Sequence, residues 1–405
     1  MTTPALIVLG AGEEQVVLYR EARRRGLPTI AVDMRADRPG IALADRFLQL
    51  STTDHQAIAE ALAGQEIAGV VSTAADTCLE SWHRLSEHFG TPWRYPASAA
   101  AVSMDKSAFH ALAASVGVPV YQWAQSHNLA DLASSATGFG LPVVVKPTDA
   151  SGCRGVLRVD EPSELDAALH NAAVNSPSGQ VIVEKLLLGK DYTVNVFLHR
   201  GDLAFSLITE KHIVPGPRFL IGGHVAPADL DPAVETALLA DAHALCLAMG
   251  LADGPANFDV IVGHDGTRYV LEVGARMSGN GFPRLAEAVA GVDCVRALVS
   301  LAVGEPVELV VDRSEVARLQ VLTSPLEVEG ELVSVGDLAA VRALPGVSDV
   351  DVFAAPGDVV LPFTEAGRKL GWLVVHAPTR VALGEVLATA LAAVELVVTP
   401  ATVPV

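Results

Sequence analysis

Lysine is scarce in this chain: it accounts for six of the 28 basic residues, and the other 22 are Arg. Acids outnumber bases 47 to 28, giving a net charge of −19. A nucleic-acid backbone is therefore excluded as a partner, because it requires clustered Lys and Arg. The one basic run, Arg23-Arg24-Arg25, closes a helical pattern before Gly26 and reads as a solvated helix C-terminus. The four cysteines, Cys78, Cys153, Cys246 and Cys294, lie too far apart for a disulfide framework or a zinc site, which implies a reducing cytoplasm. The apolar stretches are too short to span a membrane, or are interrupted as "ATALAAVELVV" is by Glu395. The opening "MTTPALIVLGAG" has no basic n-region, so no signal peptide is expected. The phosphate loop G-x-x-x-x-G-K-[ST] occurs nowhere.

What is present is a 405-residue chain, half of it hydrophobic, which at about 100 to 200 residues per domain predicts two to four domains. "ALIVLGAGEEQVVLYREARRRGLPTIAVD" reads strand, Gly loop, helix, strand, so residues 1–102 are expected to form a doubly wound α/β domain. Its Gly10, Gly12 and Asp33 make two-thirds of a dinucleotide fingerprint, with Gln15 where a third Gly would stand. Such a loop either binds an anion or simply makes the turn, and the turn is the leading reading.

Ser103 as N-cap, Gly117 as stop and Pro119 beyond it mark a helix that opens a second domain, expected over 103–303. From Leu141 onward strands and helices mix without strict alternation, an α+β pattern. Residues 304–405 are expected to be a small α+β closing domain.

The chemistry concentrates in "ANFDVIVGHDGTRYVLEVGAR". Asp265-Gly266 predicts a two-residue type I′ hairpin turn. Counting outward pairs Val262 with Tyr269, Val260 with Leu271, Asp259 with Glu272, and Asn257 with Gly274. Two carboxylates then face each other with Cβ atoms about 5 Å apart, which is destabilising unless a positive charge lies between them. A divalent cation such as Mg²⁺ answers that requirement, and Arg276 on the same face suits a phosphate or a developing anion. A solvated face, a protonated acid, or a pairing with Arg276 remain open alternatives.

The scarcity of lysine makes its positions informative. Lys146 ends the strand "PVVVK" and precedes "PTDASGCRGV", where Gly152 and Gly155 let backbone N–H groups wrap an anion. Lys106 sits in a helix's first turn, where the macrodipole gives it nothing.

In this order, over residues 5 to 380, these pieces resemble the ATP-grasp superfamily, and within it the carboxylate–amine ligases that include bacterial L-amino-acid (dipeptide) ligases. The resemblance implies three parts: a doubly wound α/β domain, a central ATP-grasp domain with a mobile lid subdomain at about 115–187, and a small α+β domain. It implies ATP and Mg²⁺, with Mn²⁺ able to substitute. "MDKSAFH" resembles the helix whose Lys106 touches nucleotide phosphate, and "VVVKPTDASGCRGV" the strand Lys146 with a lid containing Ser151, Gly152 and Gly155. "VIVEKLLLGKD" resembles the adenine hinge: Glu184, with the backbone at Lys185 and Leu187, for adenine, and Asp191 for the ribose. Asp259 and Glu272 would be the metal ligands and Arg276 the catalytic group at the transferred phosphoryl. Arg218, His224, Asn280 and Arg284 are candidate substrate contacts, with a structural role equally open for His224.

One departure stands out. Many members read Glu-x-Asn-x-Arg, whose Asn binds a second metal, and this chain has Gly274 there. Either one strong metal site remains, or Asn257 or Asn280 supplies the oxygen.

The implied reaction activates a carboxylate as an acyl phosphate and joins it to an amine, in the cytoplasm, on small-molecule substrates, with room for a homodimer. Rival expectations are a biotin- or purine-type carboxylase on the same scaffold, an NAD-dependent oxidoreductase using the Gly10 loop, and a silent nucleotide-binding protein.

Overall fold

A computed structural model describes residues 3–150, 154–216 and 219–401. Its first sheet is parallel and ordered β3-β2-β1-β4, from β1 (Ala5–Leu9), β2 (Thr29–Val32), β3 (Arg46–Leu48) and β4 (Ile67–Val71). Every residue of β1 and β2 is buried, as a central parallel strand covered on both faces requires. The Gly10 loop follows β1, and its amides are taken by the chain itself. Ala11 N–H donates to Asp33 Oδ2 at 3.0 Å, and Gly12 N–H to Gln15 Oε1 at 3.0 Å. Gln15 in turn donates to Thr73 O. Asp33, the acid of the fingerprint, thus closes the turn, and the Ala11 and Gly12 amides that an anion would need are engaged by side chains of the chain itself.

A second, four-stranded sheet, β5-β8-β6-β7, is antiparallel and has its own core. It comprises β5 (Trp123–Ser126), β6 (Val143–Pro147), β7 (Leu157–Val159) and β8 (Val181–Lys185). Val143, Val145, Val181 and Val183 pack beneath it on Leu132 and Leu169, each such burial contributing about 1.5–3 kcal/mol.

The largest sheet has eight antiparallel strands in the order β13-β12-β9-β10-β11-β14-β18-β16. They are β9 (Gly189–His199), β10 (Asp202–Ile213), β11 (Ile221–Ala226), β12 (Gly254–Gly263), β13 (Arg268–Gly274), β14 (Val316–Leu322), β16 (Val347–Val352) and β18 (Gly371–Ala377). The remaining strands, β15 (Gly330–Ser334), β17 (Val359–Val360) and β19 (Val397–Pro400), form a small sheet at the C-terminal end. Three strands from beyond residue 303 therefore continue the sheet begun by β9–β13. One apolar core runs unbroken from β1 through Phe258 and Leu298 to Leu319 and Trp372. Among the described residues no helix is long and apolar enough to cross a membrane.

The hairpin of β12 and β13 differs from the expected turn. Gly263 N–H donates to Thr267 O at 2.7 Å, leaving a three-residue loop, His264 to Gly266, with Gly266 at φ +80°. The pairs near the turn are accordingly Val262 with Arg268 and Val260 with Val270. Leu271 is then the extra residue of a bulge, and it restores the count: Asp259 faces Glu272 and Asn257 faces Gly274.

Candidate active site

Directly opposed residues share a sheet face, so the register fixes what meets over β9–β13. Glu272 opposes Asp259, Asp259 opposes Thr193, Thr193 opposes Thr209, and Lys211, two residues on, opposes His224. Asp191 lies on the same face, two residues before Thr193. The result is a polar row across five strands.

Four basic side chains converge on acids here, each with its own partner. Lys211 Nζ is 2.6 Å from Asp259 Oδ2, and Lys106 Nζ is 3.5 Å from Glu272 Oε2. Lys146 Nζ is 2.7 Å from Glu184 Oε2, and Arg276 Nη2 is 2.6 Å from Asp76 Oδ2. Lys106 reaches the site because the Asp105 side chain caps the helix Lys106–Ser115 and points its first turn at the cleft; its ammonium also donates to Thr148 O.

The charges reinforce one another. Burial opposes the Lys146 ammonium, but Glu184, Glu272 and Asp259 outweigh it and raise its pKa above the usual lysine value. Enclosure by protein likewise opposes the Glu272 carboxylate, yet Lys106, Lys146 and Lys211 pull it down to about 2, although 47 % of its side chain is open to solvent. Burial also works against charge on Glu184 and Arg276, and their partners prevail, Lys146 lowering the acid and Asp76 raising the base. Asp191 goes the other way: burial and nearby Asp259 raise it in spite of Lys211.

The remaining candidates are placed as follows. His224 Nδ1 lies 3.0 Å from Thr209 Oγ1, and burial with Lys211 alongside lowers its pKa to about 3, so it is neutral. Lys185 N–H is used by Gln122 O and its ammonium by Gly140 O, while Leu187 is half-buried just past β8. Gly155, at φ +74°, is packed so that a Cβ would lie 2.7 Å from Asn175 Cβ. Asn280 bonds Glu14 through its N–H and Lys369 through Oδ1, and Arg284 Nε is 2.6 Å from Asp349 Oδ2; these partners lie in the N-terminal Gly loop and the C-terminal part of the chain, and none belongs to the acid pair. Ser151, Gly152 and Arg218 lie outside the described residues.

Gly274 is explained by its neighbours. A Cβ there would stand 2.9 Å from Arg276 Cζ and 3.0 Å from Asn257 Nδ2. Asn257 donates to the carbonyls of Gly274 and Arg276 at 3.0 and 2.8 Å, so its amide is committed to holding the strand end. Among the described residues no group of three or more His, Cys, Asp or Glu gathers as a metal site. Two opposed carboxylates, hard oxygen donors both, suit one Mg²⁺ that completes its shell with water and phosphate.

Sequence reasoning missed Lys211, Asp76 and Tyr121, whose hydroxyl donates to Glu184 Oε1 at 3.1 Å. Lys211 carried a signal, being one of the six lysines. Asp76, 200 residues before Arg276, carried none.

Comparison with known proteins identifies the family. The family model "Carbamoyl-phosphate synthase L chain, ATP binding domain" matches residues 105–310, and "L-amino acid ligase C-terminal domain 2" matches 323–399. The chain belongs to the ATP-grasp superfamily. The solved L-amino acid ligase from Bacillus licheniformis superposes with a TM-score of 0.82 at 19 % identity, covering 99 % of this chain and 100 % of that one. An uncharacterized protein, y4rH, of Sinorhizobium fredii is 29 % identical over 83 % of this chain and 69 % of its own length. The formate-dependent phosphoribosylglycinamide formyltransferase of Haloquadratum walsbyi is 30 % identical over 51 % of this chain and 49 % of its own, so the match spans about half of that relative.

Proposed function

We propose that this protein is an ATP-dependent ligase that activates the carboxylate of an amino acid as an acyl phosphate and joins it to an amine. The observation that carries this reading is the convergence of Lys106, Lys146, Lys211 and Arg276 on a face that also presents Asp259 and Glu272. The match of residues 323–399 to an L-amino acid ligase domain supports an amino acid as the carboxylate donor.

In the first step a substrate carboxylate oxygen attacks the γ-phosphorus, the bond from that phosphorus to the β,γ-bridging oxygen breaks, and ADP leaves. In the second, the amine nitrogen attacks the acyl carbon, the acyl–oxygen bond breaks, and phosphate departs as the nitrogen loses a proton. Lys106 and Lys146 bind phosphate oxygens, and Arg276 holds the transferring phosphoryl group and then the tetrahedral oxyanion. Lys211 neutralises charge beside Asp259. Mg²⁺, when held by Asp259 and Glu272, supplies further charge neutralisation on the phosphates.

The test is a screen of amino-acid pairs for ADP release, with mass spectrometry of the product. Glu272→Gln and Arg276→Ala are expected to abolish release while circular dichroism stays unchanged; wild-type turnover in either would remove the site assignment. ADP release driven by bicarbonate or formate alone would replace the amino acid with a one-carbon acid.

A further inference from the structure

His110 is an anomaly that the reaction as described does not use. It lies one helical turn beyond Lys106, is 2 % exposed, and neither ring nitrogen has a hydrogen-bond partner. Buried polar groups without partners are rare in folded proteins and call for a specific explanation. The ring itself is firmly held: it stacks on Trp123 with centroids 4.9 Å apart at 16°, and meets Tyr121 edge-on at 5.1 Å. A ring so clamped cannot turn out to water to satisfy its nitrogens.

The acceptor it faces is Glu184. His110 Nε2 is 3.8 Å from Glu184 Oε1, the oxygen that also accepts from Tyr121, while Oε2 is held by Lys146. At 3.8 Å there is no hydrogen bond, and less than 1 Å of carboxylate movement would make one. Glu184 is 4 % exposed and Lys146 9 %, and the two are joined at 2.7 Å, so the position of the carboxylate sets that of the ammonium. The helix Lys106–Ser115 thus touches the nucleotide site twice, at Glu272 through Lys106 and at Glu184 through His110.

We infer that His110 is a positioning residue for nucleotide binding: it donates to Glu184 in the nucleotide-bound state, fixing that carboxylate and, through it, the Lys146 ammonium. The inference rests on the nucleotide site proposed above. It assigns the aromatic pair Trp123 and Tyr121 the task of aiming the imidazole, and it gives a reason for a histidine where a purely apolar residue would fill the same space without an unpaired nitrogen.

The deciding variant is His110→Phe, which keeps the aromatic stack and removes the nitrogens; His110→Gln returns a donor at the position of Nε2. The dissociation constant of β,γ-imido ATP, with Mg²⁺ present, is read by titration calorimetry, and the melting temperature is read beside it. A hydrogen bond to a charged group predicts about tenfold to a hundredfold weaker binding in His110→Phe, with at least partial recovery in His110→Gln and no loss of melting temperature. Wild-type affinity in His110→Phe would overturn the positioning role, because packing alone is intact there. Equal weakening in both variants would overturn it also, since the donor would then be irrelevant. Failure of the unaltered protein to bind the nucleotide would remove the nucleotide site itself, a separate outcome from either.

Discussion

Restoring the common family residue at Gly274 should damage this protein. Gly274→Asn introduces a Cβ 2.9 Å from Arg276 Cζ, 3.0 Å from its Nη1 and 3.0 Å from Asn257 Nδ2, all inside ordinary van der Waals contact. An arginine tip on the surface would swing aside at little cost. Arg276 is 14 % exposed and held at 2.6 Å by Asp76, and the Asn257 amide donates to two carbonyls, so neither neighbour is free to give way. Overpacking of this kind costs about 1–3 kcal/mol, and if the Arg276–Asp76 pair opens to relieve it, the loss appears in turnover as well. The backbone of Gly274 is not in the left-handed region, so the effect is steric and Gly274→Ala should show most of it. The assays are thermal denaturation and ADP release: both variants should melt a few degrees lower and turn over at least tenfold more slowly. Wild-type melting and turnover in Gly274→Asn would refute the reasoning, and a gain in activity would show that the glycine is a defect rather than a packing requirement.

Two further outcomes follow from the charges. Glu272 titrates near 2 in the folded chain against an ordinary 4.5. A depressed carboxylate contributes stability that is present above the unfolded value and lost as pH falls through the folded one, so melting temperature should decline between about pH 4.5 and 2. Glu272→Gln should flatten part of that decline, and an unchanged profile would count against the three lysines as its cause. Lys211→Met strips Asp259 of an ammonium at 2.6 Å and should lower stability by about 3–5 kcal/mol, read as a lower melting temperature, and slow ADP release at least tenfold; an unaltered melting curve would show that the pair is solvated.

The acid pair was legible in the sequence because two strands joined by a short turn leave little freedom of register. The turn type was misread by one residue, and the error was absorbed at Leu271, since a bulge inserts one residue and returns the count to step. That is why Asp259–Glu272 came out right while Val260 and Val262 did not. Lys211 was overlooked although lysine scarcity should have flagged it, because β10 offers no motif to place it and its partner lies two strands away, with β9 between. Asp76 is a harder case: the contact with Arg276 joins the loop after β4 to the loop after β13, and no periodicity spans 200 residues. The closure of the Gly10 loop by Gln15 shows a different failing of motif reading, since the residue that broke the fingerprint is the one that fills it.

The one-to-one pairing of the four bases has an energetic consequence. Placing charges in a protein interior costs several kcal/mol per ion, and their mutual attraction offsets this only roughly, so well-packed apolar residues are often as stabilising. If the fold alone had selected them, Lys211 and Asp259 would be replaceable together. The double variant Lys211→Met with Asp259→Leu removes both charges at once, leaving no ion unpaired, and Met and Leu fill similar volume. Its melting temperature should therefore stand well above that of Lys211→Met alone and near the unaltered protein's, while ADP release is abolished, because the proposed metal ligand and the proposed phosphate-facing cation are both gone. A double variant as unstable as the single one would show that Lys211 supports the fold independently of Asp259, and the pair would then have no claim to be retained for chemistry.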